Sequence, residues 1–164
     1  MINFSARNDI ERSIKELRIN REEFFEVPKL KWQEILLNIT DYFICKKHCT
    51  NDLHWAWEKL KEPCIGLRLK NNGVYKYIAD IVKEEYVWFI VDDGNGKMWI
   101  YEGKPQIISE IIADAHFIDE YYIVSKKYEW LLCEDHHCII YGSGEKIVTR
   151  INNFKIQRPE LITG

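Results

Sequence analysis

The sequence predicts an α+β fold, in which N-terminal helices precede an antiparallel sheet of a hairpin, a helix and a three-strand meander, followed by a C-terminal helix. Two observations predict it. Before Pro63, apolar residues recur at helical spacing, and after it short runs of β-branched and aromatic residues dominate. The connections between the later runs are short, which indicates antiparallel neighbours rather than alternating strand–helix units.

Length and composition predict a single domain over residues 1–164. The chain is 46% hydrophobic and contains six tryptophans, and a domain of this size buries about 70% of its unfolded surface without disulfides or metal. The net charge of −3, with Lys and Glu interspersed, argues against a nucleic-acid partner. Because no signal peptide or membrane span is visible, we expect a cytoplasmic protein whose five cysteines are reduced.

Three helices are predicted before Pro63. The first has an apolar face formed by Ile10, Ile14 and Leu17. Asn8 or Asp9 would cap its N-terminus. The second helix covers residues 30–43 and the third residues 52–60, and both keep apolar side chains three or four positions apart.

The strands follow. Residues 64–70 alternate apolar and polar side chains and predict a half-buried strand. Residues 74–82 fit a strand or a helix equally well. Residues 86–91 and 97–101 predict a hairpin around a turn that contains two glycines.

The last part of the chain predicts one more helix and a meander. An isoleucine stripe indicates a helix over residues 106–115. Three short β runs, EYYIVS, YEWLLC and HCIIY, are joined by tight polar turns, and a terminal helix fits residues 144–153.

The stretch WLLCEDHHCIIYGSG, at Trp130–Gly144, raises the question of a zinc site. The candidate ligands are Cys133, His136, His137 and Cys138, with Cys45, His48 and Cys49 as a second group. Their spacing lacks the paired C-x2-C pattern of zinc sites. In addition, two adjacent histidines on a strand would point to opposite faces. The pattern therefore favours buried or hairpin cysteines, and we predict no cofactor, although a zinc-binding protein stays an alternative.

A second alternative is an enzyme or a small-ligand binder. Its polar groups would meet at one end of the sheet, and they are Glu120, Tyr122, Glu134, His136 and His137. Acidic and polar residues at a hairpin tip are also typical of a solvated turn, so the sequence assigns no catalytic residue.

The segment EYYIVSKKYEWLLCEDHHCIIYGSG (120–144) resembles a recurrent segment of small uncharacterised bacterial proteins, with an acidic-Tyr-Tyr strand, a Ser-Lys-Lys turn, a Trp-Leu-Leu-Cys strand and a His-His tip. That resemblance implies no activity. The wider layout resembles the SUKH-type superfamily of bacterial proteins through Trp88, Trp99 and Trp130, although the Gly-Gly pair near the first strand of that superfamily is not evident. This second resemblance implies an immunity protein that binds and neutralises a toxin.

The leading prediction is a non-enzymatic binding protein of the bacterial cytosol whose partner is a protein, such as a toxin. If Trp57 faces the core of its helix, Trp55 lies roughly 200° away and is exposed, and an exposed tryptophan is a frequent binding anchor. The predicted contact residues are Trp55, Asp92, Asp93, Glu134, Asp135, His136 and His137. The sequence does not predict the oligomeric state.

Overall fold

The computed structural model describes residues 5–45, 53–93 and 96–163 and confirms the α+β fold. The described part of the chain contains five α-helices: α1 (Ala6–Glu16), α2 (Trp32–Phe43), α3 (Ile78–Ile81), α4 (Pro105–Asp114) and α5 (Glu145–Gln157). Short 3₁₀ helices lie at Lys29–Lys31, Ala56–Lys59, Val74–Tyr77 and Pro159–Leu161. In these ranges no helix is both long and apolar enough to cross a bilayer.

Within the described residues, seven antiparallel strands form one sheet. They are β1 (Phe24–Glu26), β2 (Cys64–Arg68), β3 (Val87–Asp92), β4 (Met98–Gly103), β5 (Tyr121–Val124), β6 (Leu131–Glu134) and β7 (Ile139–Ser143). Their spatial order is β1-β4-β3-β5-β6-β7-β2. The hairpin β3–β4 and the meander β5–β6–β7 therefore sit side by side, as predicted, and β2 returns to pair with β7 from Cys64↔Ser143 to Arg68↔Ile139.

Helices cover both faces of the sheet. The first face carries Phe89, Tyr101 and Tyr121 and packs against the apolar sides of α1, α3, α4 and α5. The second face carries Ile90 and Tyr122 and packs against α2. Since neighbouring strand residues point to opposite faces, the continuous apolar runs of β3 and β5 are buried on both sides.

The structure decides one open assignment and corrects several local predictions. Residues 74–82 were open between strand and helix, and residues 74–81 form a 3₁₀ turn that continues into α3. Of the helix expected at 52–60, only a 3₁₀ turn at Ala56–Lys59 forms, and residue 52 lies outside the described residues. The N-cap of α1 is Ser5, whose Oγ accepts from the Asn8 N–H at 3.2 Å. The three-residue strand β1 was not predicted.

Candidate functional site

A cleft of about 440 Å³ opens at one end of the sheet, where β3 ends, β5 begins and β6 ends. Its walls come from the start of α1, the segment at 54–55, the end of β3, the α4–β5 connection and the β6–β7 turn. Ligand pockets commonly occupy about 300–1,000 Å³, so the cleft is large enough to receive a side chain or a small molecule.

Strand register places three carboxylates in a row beside this cleft. Val91 pairs with Tyr121, and Tyr121 pairs with Glu134. The next positions along the three strands are Asp92, Glu120 and Asp135. Because side chains alternate along a strand, all three belong to the sheet face opposite Tyr121. Their exposed fractions are 9%, 8% and 1%, so three buried acids lie across adjacent strands.

Each carboxylate of the row is paired with an imidazole. His54 Nδ1 lies 2.6 Å from Asp92 Oδ2, and His136 Nδ1 lies 2.6 Å from Glu120 Oε1. His137 Nδ1 lies 3.3 Å from Asp135 Oδ2. These contacts fix the ring orientations, and Nε2 is the second nitrogen through which each imidazole can exchange a proton.

The electrostatics of the row favour the protonated form of His136. The hydrogen bond with Glu120 raises the pKa of His136, and the nearby charges of Asp119 and Asp135 act in the same direction. Buried carboxylates are stable in the ionised form only when a positive or hydrogen-bonding partner compensates for lost solvation. The histidines supply that partner.

The two adjacent histidines lie in a turn rather than on a strand. Asp135 Oδ1 accepts from the backbone N–H groups of His137 and Ile139, each at 2.9 Å. Cys138 adopts a left-handed φ of 59°. As a result the rings of His136 and His137 lie 4.0 Å apart, and the expectation that they point to opposite faces is wrong.

The Trp57 ring packs against this turn. It stacks on Tyr141 at 5.8 Å and meets the edges of both His136 and His137, at 5.9 and 6.2 Å. Behind the cleft, the buried Tyr122 hydroxyl donates to the Leu53 carbonyl at 2.7 Å and so anchors the segment that carries His54.

Two further carboxylates fix the remaining walls. Asp93 accepts from the Ala6 N–H at 2.7 Å and from Trp99 Nε1 at 3.3 Å, which ties the start of α1 to the end of β3. Asp9 Oδ2 accepts from the N–H groups of His116, at 2.5 Å, and Phe117, at 2.9 Å. Burial alone would raise the pKa of Asp9, but Arg12 and these two N–H groups outweigh it and lower the pKa.

Two exposed aromatic rings edge the cleft. Trp55 is 49% exposed, as predicted, and its ring stacks on His54 with centroids 4.7 Å apart. Phe117 is 46% exposed. Both rings line the same concavity as His136.

The structure brings together only part of the predicted contact set. Trp55, Asp92, Asp93 and His136 line the cleft, and Asp135 and His137 lie directly beside it. Glu134 points to the other sheet face, where the Tyr121 hydroxyl donates to its Oε2.

The polar residues predicted for an enzyme or a small-ligand binder are also divided, because only some of them face the cleft. Glu120 and His136 face the cleft, whereas Tyr122 is buried behind it. Sequence reasoning missed His54, His116 and Phe117. His54 could have been suspected from its place beside Trp55, while nothing in the sequence around residue 116 indicates a site.

The zinc interpretation gains no support from the described ranges, where no group of three or more His, Cys, Asp or Glu side chains is arranged to hold a metal ion. Cys133 is completely buried in the sheet, and burial raises the pKa of its thiol well above the ordinary value. Cys138 is a free thiol in the turn. His48 and Cys49 lie outside the described residues.

The fold and the cleft define an α+β protein with paired carboxylates and imidazoles at one end of its sheet. The chain belongs to a family of unknown function, DUF6756, whose family model matches residues 3–155. The match fits the expectation of an uncharacterised family, but it supports neither the segment motif at 120–144 nor the SUKH-type superfamily. Searches of curated proteins and of solved structures give no match.

Proposed function

We propose that this protein is a non-enzymatic binding protein of the bacterial cytoplasm and that its partner, a protein, docks at the cleft. The observation that supports the proposal most directly is the pair of exposed rings, Trp55 and Phe117, at the edge of one concave site. Aromatic anchors that enter or flank a pocket account for much of the binding energy of protein interfaces.

Hydrogen bonds hold the backbone near both anchors, which supports the same proposal. The Tyr122 hydroxyl donates to the Leu53 carbonyl, two residues before Trp55, and Asp9 accepts from the Phe117 N–H. A pre-ordered site loses less conformational entropy when a partner binds.

We propose further that the partner is a toxin and that the protein acts as its immunity protein. This part of the proposal draws on the loose resemblance to the SUKH-type superfamily, through Trp88, Trp99 and Trp130. An immunity protein must form a tight complex and needs no catalytic group, which suits an aromatic-edged docking cleft.

A second candidate is an enzyme or small-ligand binder that uses the same cleft. Two imidazoles, His54 and His136, are each oriented at 2.6 Å by a buried carboxylate and line one cavity of ligand size. Such pairs serve in general acid–base catalysis. A metabolite extract incubated with the wild type and with His136→Gln would separate the candidates, since an enzyme consumes a compound, and a small-ligand binder retains one, in a His136-dependent manner.

The test of the leading proposal is co-purification from native lysate with three matched variants. Trp55→Ala and Phe117→Ala remove the anchors, and Leu30→Ala removes a side chain that is 98% exposed and does not line the cleft. We expect one stoichiometric partner with the wild type and Leu30→Ala, and at least about tenfold less with either anchor variant.

The partner is then expressed alone and together with this protein. Growth arrest by the partner alone, relieved by the wild type but not by Trp55→Ala, is the result expected of an immunity protein. Equal recovery of the partner by all variants would reject the cleft as the docking site.

A further inference from the structure

The cleft combines a strong charge bias with three imidazoles. Its lining includes four carboxylates, Asp92, Asp93, Asp119 and Glu120. It also includes three histidines, His54, His116 and His136, and among the described residues that line it there is no Lys or Arg. The charge of the cleft therefore depends on the protonation of its histidines.

The numbers of carboxylates and imidazoles in the lining determine the charge of the cleft in each protonation state. When all three imidazoles are protonated they nearly balance the four carboxylates, and when they are neutral the lining is strongly negative. An anionic ligand is disfavoured in both states. A cationic group is favoured once the imidazoles lose their protons, and the faces of Trp55 and Phe117 offer it cation–π contact.

We propose that the cleft accepts a guanidinium or ammonium group from a side chain of the partner protein, and that the incoming charge replaces protons carried by His54 and His136. This inference rests on the proposed function, because it names the chemistry of the partner's docking residue. The site is the row of carboxylate–imidazole pairs rather than the acidic residues alone.

We expect the incoming cation to replace the imidazole protons, because the incoming group and the imidazolium need the same carboxylate acceptors. Asp92 Oδ2 and Glu120 Oε1 already receive the imidazole Nδ1 atoms, each at 2.6 Å. A planar guanidinium binds a carboxylate through two parallel N–H donors. As it approaches, the positive charge of each neighbouring imidazolium becomes repulsive, and release of that proton removes the repulsion.

The groups around each imidazole determine where the exchange occurs. His54 faces Asp92, and the Trp55 ring lies against it. His136 faces Glu120, Asp119 and Asp135, with the His137 ring beside it. The hydrogen bond with Glu120, together with the charges of Asp135 and Asp119, raises the pKa of His136 above its ordinary value of 6.5, so the exchange at this site lies at a higher pH than for an ordinary imidazole.

The experiment uses a blocked tri-arginine peptide as probe and a blocked tri-citrulline peptide as its neutral isostere. Binding to the full chain is measured by calorimetry at about pH 5.5 and about pH 8, in two buffers with different ionisation enthalpies, which counts the protons released. A third ligand, spermidine, tests a free polyamine in place of a protein side chain.

We expect the arginine peptide to bind with proton release and to weaken by about tenfold per pH unit for each displaced proton below the imidazole pKa. The citrulline peptide should not bind measurably. Histidine Cε1–H signals in NMR spectra should show lower pKa values for His54 and His136 when the arginine peptide is bound.

Two carboxamide variants and one control locate the site. Asp92→Asn and Glu120→Gln should each weaken the arginine peptide by about tenfold or more. Glu85→Gln removes an exposed carboxylate near the other end of β3 and should have no effect. Circular dichroism verifies that each variant is folded.

Three results would overturn the inference. They are equal binding of the arginine and citrulline peptides, binding without proton release, and tighter binding of spermidine than of the peptide. If these occur while Trp55→Ala still abolishes co-purification of the partner, the proposed function stands and only the ligand chemistry is wrong. If the arginine peptide fails these tests and Trp55→Ala also leaves co-purification of the partner unchanged, both proposals are rejected.

Discussion

At the scale of single residues, adjacent positions at the ends of β5 and β6 have unrelated tasks. Tyr121 and Glu134 hydrogen-bond on one face of the sheet, while their neighbours Glu120 and Asp135 hold imidazoles at the cleft. The one-residue alternation of a strand causes this division. The sequence predicted that Glu134 and Asp135 act together, because it showed the acidic pair but not where β6 ends.

A first prediction concerns Glu134. Burial raises its pKa, although the Tyr121 hydroxyl bond opposes the shift. A carboxyl group with a raised folded-state pKa favours folding most below its unfolded pKa, and this contribution is lost as pH rises through the folded value. Glu134→Gln keeps an acceptor for Tyr121, so the free energy of unfolding should rise by about 1 kcal/mol near pH 7 and change less near pH 4.

Urea unfolding at both pH values checks this expectation. Glu129→Gln, at an exposed carboxylate paired with Lys146, is the matched control and should change stability little. An equal loss of stability at both pH values would show that Glu134→Gln disturbs packing or the Tyr121 hydrogen bond rather than removing a costly charge.

A second prediction concerns Cys133. Its thiol is completely buried, and burial raises its pKa, so the thiolate needed for alkylation is scarce and inaccessible. Iodoacetamide near pH 8 should leave Cys133 unmodified in the folded protein and modify it in urea, as read by peptide mass spectrometry. Cys45 and Cys138, which are partly exposed, serve as internal controls. Rapid labelling of the native thiol would revive the interpretation of a reactive or metal-binding cysteine.

At the scale of secondary-structure elements, periodicity predicted the strongly patterned segments and failed on short ones. The isoleucine stripe placed α4 within one residue of its observed bounds, and the three β runs became the meander. Residues 74–81 were ambiguous because a 3₁₀ turn joined to a four-residue helix is too short to show a period. Strand β1 was missed because three residues carry no alternation and pairing with β4 alone defines it.

A third prediction concerns the turn from β7 to α5. Gly144 has a φ of 106°, and a Cβ added there would lie 2.6 Å from the Glu129 carbonyl oxygen. Gly144→Ala should therefore cost more than about 2 kcal/mol in the free energy of unfolding. Gly96→Ala is the control, because φ there is 73° with no atom within 4 Å of the added Cβ, and it should cost about 1 kcal/mol. Similar costs for both would mean that the backbone near Gly144 moves away.

A fourth prediction concerns Asp9, which links α1 to the far wall of the cleft. Asp9→Ala leaves the N–H groups of His116 and Phe117 without their acceptor. Stability should fall by about 1–3 kcal/mol, and amide exchange of His116 and Phe117 should accelerate more than that of the β5 amides. Uniform acceleration throughout the chain would instead indicate global destabilisation alone. Asn8→Ala, one residue earlier, serves as the comparison.

At the scale of the whole molecule, the fold class was predictable and the cleft was not. Helical and β periodicities divide at Pro63, which suffices for α+β. The cleft, by contrast, joins residues from five separate segments, and only the strand order brings Asp92 beside Glu120. His54 was hidden because the helix expected around it does not form.

A fifth prediction concerns acid stability. Glu84 accepts from Arg150 and from Trp130 Nε1, and so joins α5 and the residue that precedes β6 to the segment before β3. Burial opposes ionisation, but these donors outweigh it and lower the pKa of Glu84 to about 2. A lowered folded-state pKa contributes stability above the unfolded value, near 4.5, that is lost as pH falls toward 2.

Glu84→Gln should therefore reduce the free energy of unfolding by about 1–3 kcal/mol near pH 7, and the variant and wild type should converge near pH 2. Denaturant unfolding at several pH values measures the difference, with Glu85→Gln as the neighbouring exposed control. A cost that stays constant with pH would show that Glu84 acts through packing rather than charge.

The pairing of β2 with β7 has a consequence for synthesis on the ribosome. Cys64 cannot pair until Ser143, its partner in the register, has been synthesised. At translation speeds of about 5–20 residues per second, that delay is roughly 4 to 16 s. During this interval the half-apolar strand β2 stays unpaired, so the completed hairpin β3–β4 is expected to form first.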